Sequence, residues 1–355
     1  MRLVDAARPM FARHETFHPR YGWFRKAYSF AVWDRYVFTR KDAPVVIGVG
    51  KNMVRAIRFW GLAAKLLVED PSAPNRRSPG LVPTRIGNAL FGEMGWDPFT
   101  EDPGTLWLLQ WLLLAPRSRL PVWWLAFNDF NAVEFDDNAL DQAVEAQLEA
   151  LSSWKTPHPT SRKKDVRALL RTYGPPVRSA RTSIDDILDC PLRELNLIEI
   201  SPATGRYRFV LGPKPTLPSE VVAYAALDYI ARTGAAGNTV TLSRLAYDSG
   251  APGRAFKLSE TELLQALEPT LDRVQALDLV TPTGAAQLSW HGDPTLIAVD
   301  VLNGYYQASP PDMRAGTYGD QPVDAELIDA LGLGSNPSEA ERELQLSSGI
   351  VIGGR

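Results

Sequence analysis

Between Lys51 and Val68 apolar and charged positions alternate with the period of an α-helix. On a wheel at about 100° per residue, Lys51, Arg55, Arg58 and Lys65 fall within roughly 80° of arc, opposite Met53, Ala56, Ile57, Trp60, Ala63, Ala64 and Leu67. Residues three and four apart share a helical face, so this spacing predicts a buried stripe backed by a basic one. Ile47-Gly48-Val49-Gly50, a tight-turn sequence, precedes the helix, and Leu81–Ile86 follows as an extended segment. Turn, basic helix and extended hairpin is the order in which a winged helix offers a recognition helix to a major groove.

The same reading predicts further helices over Tyr21–Trp33, Pro83–Met94 and Thr105–Leu114, and an acidic amphipathic helix over Asp136–Leu151. Pro71–Pro83 holds four prolines and reads as an extended loop or wing. Residues 152–182, rich in Ser, Pro and Lys, read as a basic linker with a short helix. Beyond them two units repeat helix followed by hairpin. One is Ser183–Leu195 with Ile198–Ile200 and Tyr207–Leu211; the other is Glu260–Leu277 with Leu279–Thr281 and Gln287–Trp290.

The expected fold is therefore mainly α with small β-hairpins, an α+β chain of tandem winged-helix-like domains. Residues 1–151 would form an N-terminal helical, DNA-binding domain, 152–182 the linker, 183–307 a second winged-helix-like domain and 308–355 a loosely held acidic tail.

Charge sharpens this picture. The 355 residues carry a net charge of -3, yet residues 1–90 hold sixteen Lys/Arg against six Asp/Glu. A second basic block, 155–181, holds eight Lys/Arg against Asp165 alone. Local concentration of positive charge in a near-neutral chain is what a polyanion-binding protein requires; a solvated basic surface balanced by acidic neighbours is the plainer alternative. One cysteine, Cys190, excludes an intramolecular disulfide. The most apolar run, Leu106 to Ala115, is interrupted by Gln110 and falls well short of the roughly 18 residues of a membrane span. With no apolar leader at the N-terminus, a cytoplasmic location is expected.

Three motifs suggest chemistry. His14-Glu15-Thr16-Phe17-His18 spells HExxH, which binds zinc only when both histidines share a helical face; Pro19 directly after His18 disfavours that, so a structured loop is expected. Gly48-Val49-Gly50-Lys51-Asn52 lacks the spacer and the Ser/Thr of a phosphate loop, and reads as a glycine turn. Asp97, Glu101 and Asp102 cluster before an apolar helix, where carboxylates either hold Mg²⁺ or cap the helix. His14, Glu15, Asp97, Glu101 and Asp102 are the candidate catalytic residues, with Mg²⁺ the expected metal and no ligand set assigned. Arg13, Arg20, Lys51, Arg55, Arg58 and Lys65 are candidate phosphate contacts, and Asn52 a candidate base contact.

Phe11-x-Arg-His-Glu-Thr-Phe17, Gly48-Val-Gly-Lys-Asn-Met-Val-x-Ala-Ile-Arg-Phe-Trp60, Asp97-Pro-Phe-x-Glu-Asp102 and Thr105-Leu-Trp-Leu-Leu109 occur in this order. Together they resemble a bacterial family encoded beside DNA phosphorothioation genes, the nicking component of the single-strand phosphorothioation (Ssp) phage-defence system. The resemblance is strong over residues 1–130 and weak to residue 300. It implies a DNA nickase acting on double-stranded DNA beside a cysteine desulfurase, an ATPase and a sulfur-transfer protein, away from any membrane. It transfers no catalytic residue. A non-catalytic winged-helix adaptor that recruits those enzymes is the alternative, and a scaffold whose basic face meets an acidic protein is a third.

Overall fold

The computed structural model describes residues 1–70, 73, 79–175, 190–234, 237–282 and 284–307. The expected wing at 71–72 and 74–78, the basic segment 176–182, the start of the Ser183–Leu195 helix and the tail 308–355 lie outside the described residues. What is described is mainly helical with three small antiparallel sheets. It packs into two compact units, 13–101 and 1–12 with 102–307. Packing thus groups residues 102–151 with the C-terminal half rather than with the expected N-terminal domain.

In the unit 13–101, helix α2 (Trp23–Trp33) lies against α4 (Lys51–Ala63), and the short α1 (Leu3–Ala6) belongs to the other unit. Trp23, Phe24, Ala27, Tyr28, Phe30 and Ala31 of α2 are buried, as are Val54, Ala56, Ile57 and Trp60 of α4. The axes come close because the contact is made by small residues: a Cβ added to Gly61 would sit 2.7 Å from that of Ala27. Ala56, Ile57, Trp60 and Ala63 of the expected stripe are buried as the periodicity predicts; Met53 is only part-buried, and Leu62, within the cationic arc, is buried as well.

The helix nevertheless ends five residues earlier than expected. Lys65 adopts the left-handed conformation (φ 59°), and its carbonyl accepts a 2.5 Å hydrogen bond from Thr84 Oγ1. That turn feeds β1 (Leu67–Glu69), which pairs with β2 (Leu81–Pro83) before α5 (Arg85–Phe91). Lys65 is only 5% exposed and leaves the basic face on which the wheel placed it. A wheel extends a helix through any apolar run, and Leu66-Leu67-Val68 is here strand.

In the other unit α6 (Pro103–Leu114) is buried on all sides from Gly104 to Leu114. Its buried Gln110 is matched on both ends of its amide: Tyr173 Oη donates to Oε1 (2.5 Å), and Nε2 donates to the carbonyl of Ala255 (3.2 Å). The acidic helix forms as α8 (Asp137–Glu149), following α7 (Pro121–Asn128) and capped by Asp136, whose carboxylate accepts from the Ala139 amide at 2.8 Å.

The short basic helix expected within 152–182 is a 15-residue helix, α9 (Pro159–Tyr173), packed on α8. Buried Arg162 joins the two. Its Nε and Nη2 reach the two oxygens of Asp141 (2.6 and 3.1 Å), and Nη1 reaches Glu145 at 2.9 Å. A side chain counted from sequence as part of a basic surface is thus internal, and these hydrogen bonds raise its pKa further.

Both expected hairpins form, with ends shifted by a residue or two: β3 (Ile198–Ile200) with β4 (Tyr207–Phe209), and β6 (Leu277–Val280) with β7 (Gln287–Trp290). A further strand, β5 (Thr239–Thr241), adds to the second, giving the order β5-β7-β6. Around it the chain runs α10 (Ser219–Thr233), β5, α11 (Leu242–Tyr247), α12 (Pro252–Phe256), α13 (Glu260–Leu271), β6, β7 and α14 (Pro294–Tyr306). No described helix is long and apolar enough to cross a membrane.

Removing Arg162 strands two buried or half-buried carboxylates. Arg162→Met is expected to lower unfolding free energy by about 3–5 kcal/mol, the cost of breaking a buried pair from one side. Urea denaturation checks this; a loss under about 1 kcal/mol would show that the pair behaves as an exposed one.

Candidate nucleic-acid interface

The leading end of α4 is built by the turn before it. Helix α3 (Ala43–Ile47) stops at Gly48, which takes φ 70°, a conformation glycine adopts without strain. Gly50 is then the N-cap, extended and without a side-chain cap, and no acidic residue lies in the first turn. The first amides of α4 therefore point outward without a side-chain acceptor, and the helix dipole adds positive potential there. Lys51, Asn52 and Arg55 are exposed around this end, and Arg58 is half-buried one turn further on. An anion at such a helix end meets both backbone donors and side-chain cations.

Two carboxylates sit beside these cations. Arg55 Nη1 is 3.5 Å from Glu15 Oε1 and Arg58 Nη2 is 3.8 Å from Glu69 Oε1. The side chains are 54% and 32% exposed in the first pair and 30% and 46% in the second. Solvent-screened pairs of this kind hold by roughly 0–1 kcal/mol, so phosphate can displace them. Burial lowers the pKa of Arg58, partly countered by Glu69.

Residues 13–16 form a turn and Phe17 and His18 follow without regular structure, not the helix a zinc-binding HExxH requires. His14 is buried, stacked on Trp60 (centroids 6.3 Å) and edge-on to Phe59 (5.9 Å). Phe17 N donates to the carbonyl of His14 at 2.9 Å, and Trp60 Nε1 donates to that of Phe17 at 3.1 Å. Glu15 and Thr16 take φ 51° and 69°, left-handed values that cost an L-residue energy and are held here by the loop's seating on Trp60. Arg20 lies over the rings of Phe17 (5.9 Å) and Trp23 (5.7 Å), and Arg13 is exposed.

Two cations that sequence reasoning did not single out hold this end in place. Lys26 Nζ donates to the carbonyl of Ile47 (3.3 Å), the last residue of α3, and burial lowers its pKa. Arg40 grips both oxygens of Asp42 (2.8 and 2.6 Å) and Asp34 (3.1 Å), which raises its pKa. Asp42 is the residue from which α3 starts, so the Arg40–Asp42 spacing was the one signal available.

The expected carboxylate pool does not assemble. Asp97 is buried and accepts from the Glu101 amide (2.9 Å) within a tight turn, where Thr100 takes φ 58°. Glu101 is exposed. Asp102 caps α6, accepting from the Gly104 amide and from Tyr305 Oη, each at 2.7 Å. Among the described residues no group of three or more His, Cys, Asp or Glu is placed to hold a metal ion. The helix-capping alternative holds for Asp102, and any Mg²⁺ here would be held by one or two of these carboxylates with water completing its shell. On α9, Lys163, Lys164, Arg167 and Arg171 are exposed, forming a second cationic stripe.

The fold and this face define a mainly helical protein with a cationic helix end suited to polyanions. The chain belongs to the family described as a protein of unknown function, DUF4007, whose model matches residues 11–306. It is similar to a crystal structure of SspB, with 36% identity over 98% of this chain and 99% of that one, and a TM-score of 0.82. It is equally similar to a magnesium ion-bound SspB crystal structure, at 35% identity, the same coverage and a TM-score of 0.82. No curated protein matches it.

Thr16→Gly is expected to raise stability by up to about 1 kcal/mol, the left-handed strain relieved less the extra backbone entropy of glycine in the unfolded chain. A shift of the urea midpoint to higher concentration checks it; a lower midpoint would show that the Thr16 side chain contributes more than its backbone costs.

Proposed function

We propose that this chain is the DNA-binding and DNA-nicking component of a single-strand phosphorothioation system of the Ssp phage-defence type. It would act on double-stranded DNA beside a cysteine desulfurase, an ATPase and a sulfur-transfer protein. The similarity to SspB along nearly the whole chain supports the assignment to that system. The single observation that carries the DNA-binding part is the leading end of α4, uncapped and free of first-turn carboxylates, with Lys51, Asn52 and Arg55 exposed around it. Phosphates would be met by Lys51, Arg55, Arg58, Arg13 and Arg20, and a base edge by Asn52. Lys65 is withdrawn from that set by its burial.

The order helix, strand, three helices, strand, strand over residues 219–290, with the last strand central and the middle helix (α12) only five residues long, supports a winged-helix reading of that segment. The helix before the hairpin, α13, which stands where a recognition helix would, carries Glu260, Glu262 and Glu268 and no cation. Such a helix repels phosphate, so we assign this segment to protein contacts and the DNA to α4.

A second reading, the non-catalytic adaptor, is favoured by the carboxylates. Asp97 and Asp102 are occupied by a turn and a cap, and no metal-competent cluster stands among the described residues. Incubating the purified protein with supercoiled plasmid, with Mg²⁺ and with chelator, separates the two. Open circles formed in Mg²⁺ and lost with chelator support the nickase; binding without relaxation in either condition supports the adaptor.

The DNA-binding face has its own test. Arg55→Ala with Arg58→Ala is expected to weaken duplex binding and to shallow the plot of log affinity against log salt by about 1.8, at about 0.9 per lost phosphate contact. An unchanged slope, measured by fluorescence anisotropy over a salt series, would place the duplex elsewhere.

A further inference from the structure

Outside the α4 face, the unit of residues 1–12 and 102–307 contains an open cavity of about 750 Å³, within the usual range of small-ligand sites. Its walls are largely apolar: Phe130, Val133, Phe209, Leu211 and Tyr247 line it. Val133 is 85% and Leu211 75% exposed, so part of this apolar wall faces solvent.

At one side of the cavity stands Lys257, only 7% exposed. Its ammonium donates to the carbonyl of Phe127 (2.7 Å) and lies 4.0 Å from the centre of the Phe209 ring. An ammonium has three donors, and this one meets a single acceptor among the described residues. It has no carboxylate partner there. Arg254, also lining the cavity, donates to neutral acceptors only, the carbonyl of Tyr247 (2.9 Å) and Oδ1 of Asn131 (3.2 Å).

The two carboxylates that line the cavity are already used. Glu199 is held by Arg208 at 2.5 Å, and Glu262 closes a capping box by accepting from the Ser259 amide at 2.7 Å. Lys214, near Glu262, donates to the carbonyls of Val210 and Gly212. The Tyr247 hydroxyl accepts from the Glu260 amide at 3.3 Å. The balance is two cations without anions, beside aromatic rings, in a space open to solvent.

We propose that this cavity binds a nucleotide, its phosphate held by Lys257 and Arg254 and its base laid against Phe209 and Phe130. A nucleotide combines the two features the site lacks: an anion for the buried ammonium and a flat ring for the aromatic wall. The same chemistry is offered by a free mononucleotide and by the 5′-phosphorylated end of a DNA strand. The proposal is independent of the reading of α4 as the duplex-binding face.

Burial, with Arg254 and Lys214 nearby, lowers the Lys257 pKa to about 7. A bound phosphate favours the ammonium, so binding at pH 8 takes up a proton from solution. Calorimetric titration of the full chain with deoxyadenosine 5′-monophosphate at pH 8, in two buffers of different ionisation enthalpy, is the test. Expected are saturable binding, uptake of most of one proton, and affinities at least tenfold weaker for inorganic phosphate and for deoxyadenosine. Lys257→Met, of similar length and without charge, should lose at least tenfold in affinity and all the proton uptake.

No binding at millimolar nucleotide, undiminished binding by Lys257→Met, or phosphate binding as well as the nucleotide would each overturn the proposal. A 5′-phosphorylated hexanucleotide in the same titration identifies the source. Tighter binding than the mononucleotide supports a strand end, and equal or weaker binding supports the free nucleotide. Duplex affinity is not read in this experiment, so its failure leaves the α4 reading standing.

Discussion

Trp60 holds the N-terminal unit together at the point where fold and candidate site meet. Its indole is fully buried as part of the α4 stripe, and that burial sets the rotation of the helix and thereby the direction in which Lys51, Arg55 and Arg58 face. The same ring supports His14 and donates to the carbonyl of Phe17. The turn carrying Glu15 thus takes its left-handed shape from an aromatic anchor that belongs to the helix it decorates. Position of the cations and position of their counter-charge have one physical source.

How far this could be read from sequence depended on whether one face of each element is polar. The α4 stripe, α2, the acidic α8 and both hairpins carry a clear contrast between faces, and their periodicity is visible. Helices α10 and α14 were not foreseen. From Val221 to Ile230 every residue of α10 is buried, so no polar face marks a period. The error at Lys65 has another origin: the turn is set by its left-handed backbone and by a Thr84 hydroxyl nineteen residues away, information that no local window contains. Arg162 makes the same point for charge. Counted in a row it belongs to a basic block, and only its three hydrogen bonds to Asp141 and Glu145 identify it as internal.

The candidate chemistry was legible in kind but not in use. The cations of α4 and the glycine turn before it stand where the sequence placed them, and Pro19 directly after HExxH correctly warned against a metal helix. Carboxylates were harder, because the same Asp serves as ligand, cap or turn former depending on which amides lie within reach. Asp97 and Asp102 meet amides four and two residues on. Once an oxygen accepts such a bond, the geometry that brings several carboxylates around one point is given up in favour of local order.

The loose pair of Glu15 and Arg55 has a consequence for selectivity on the proposed reading. A carboxylate tethered 3.5 Å from the guanidinium is always present at high local concentration and competes with whatever approaches. A lone monovalent anion gains one contact and loses it to this tethered rival. A polymer that engages Lys51, Arg55 and Arg58 together spreads the cost of evicting Glu15 over several contacts. The face therefore discriminates by the number of charges delivered at once, a threshold on valency built from a single weak internal bond.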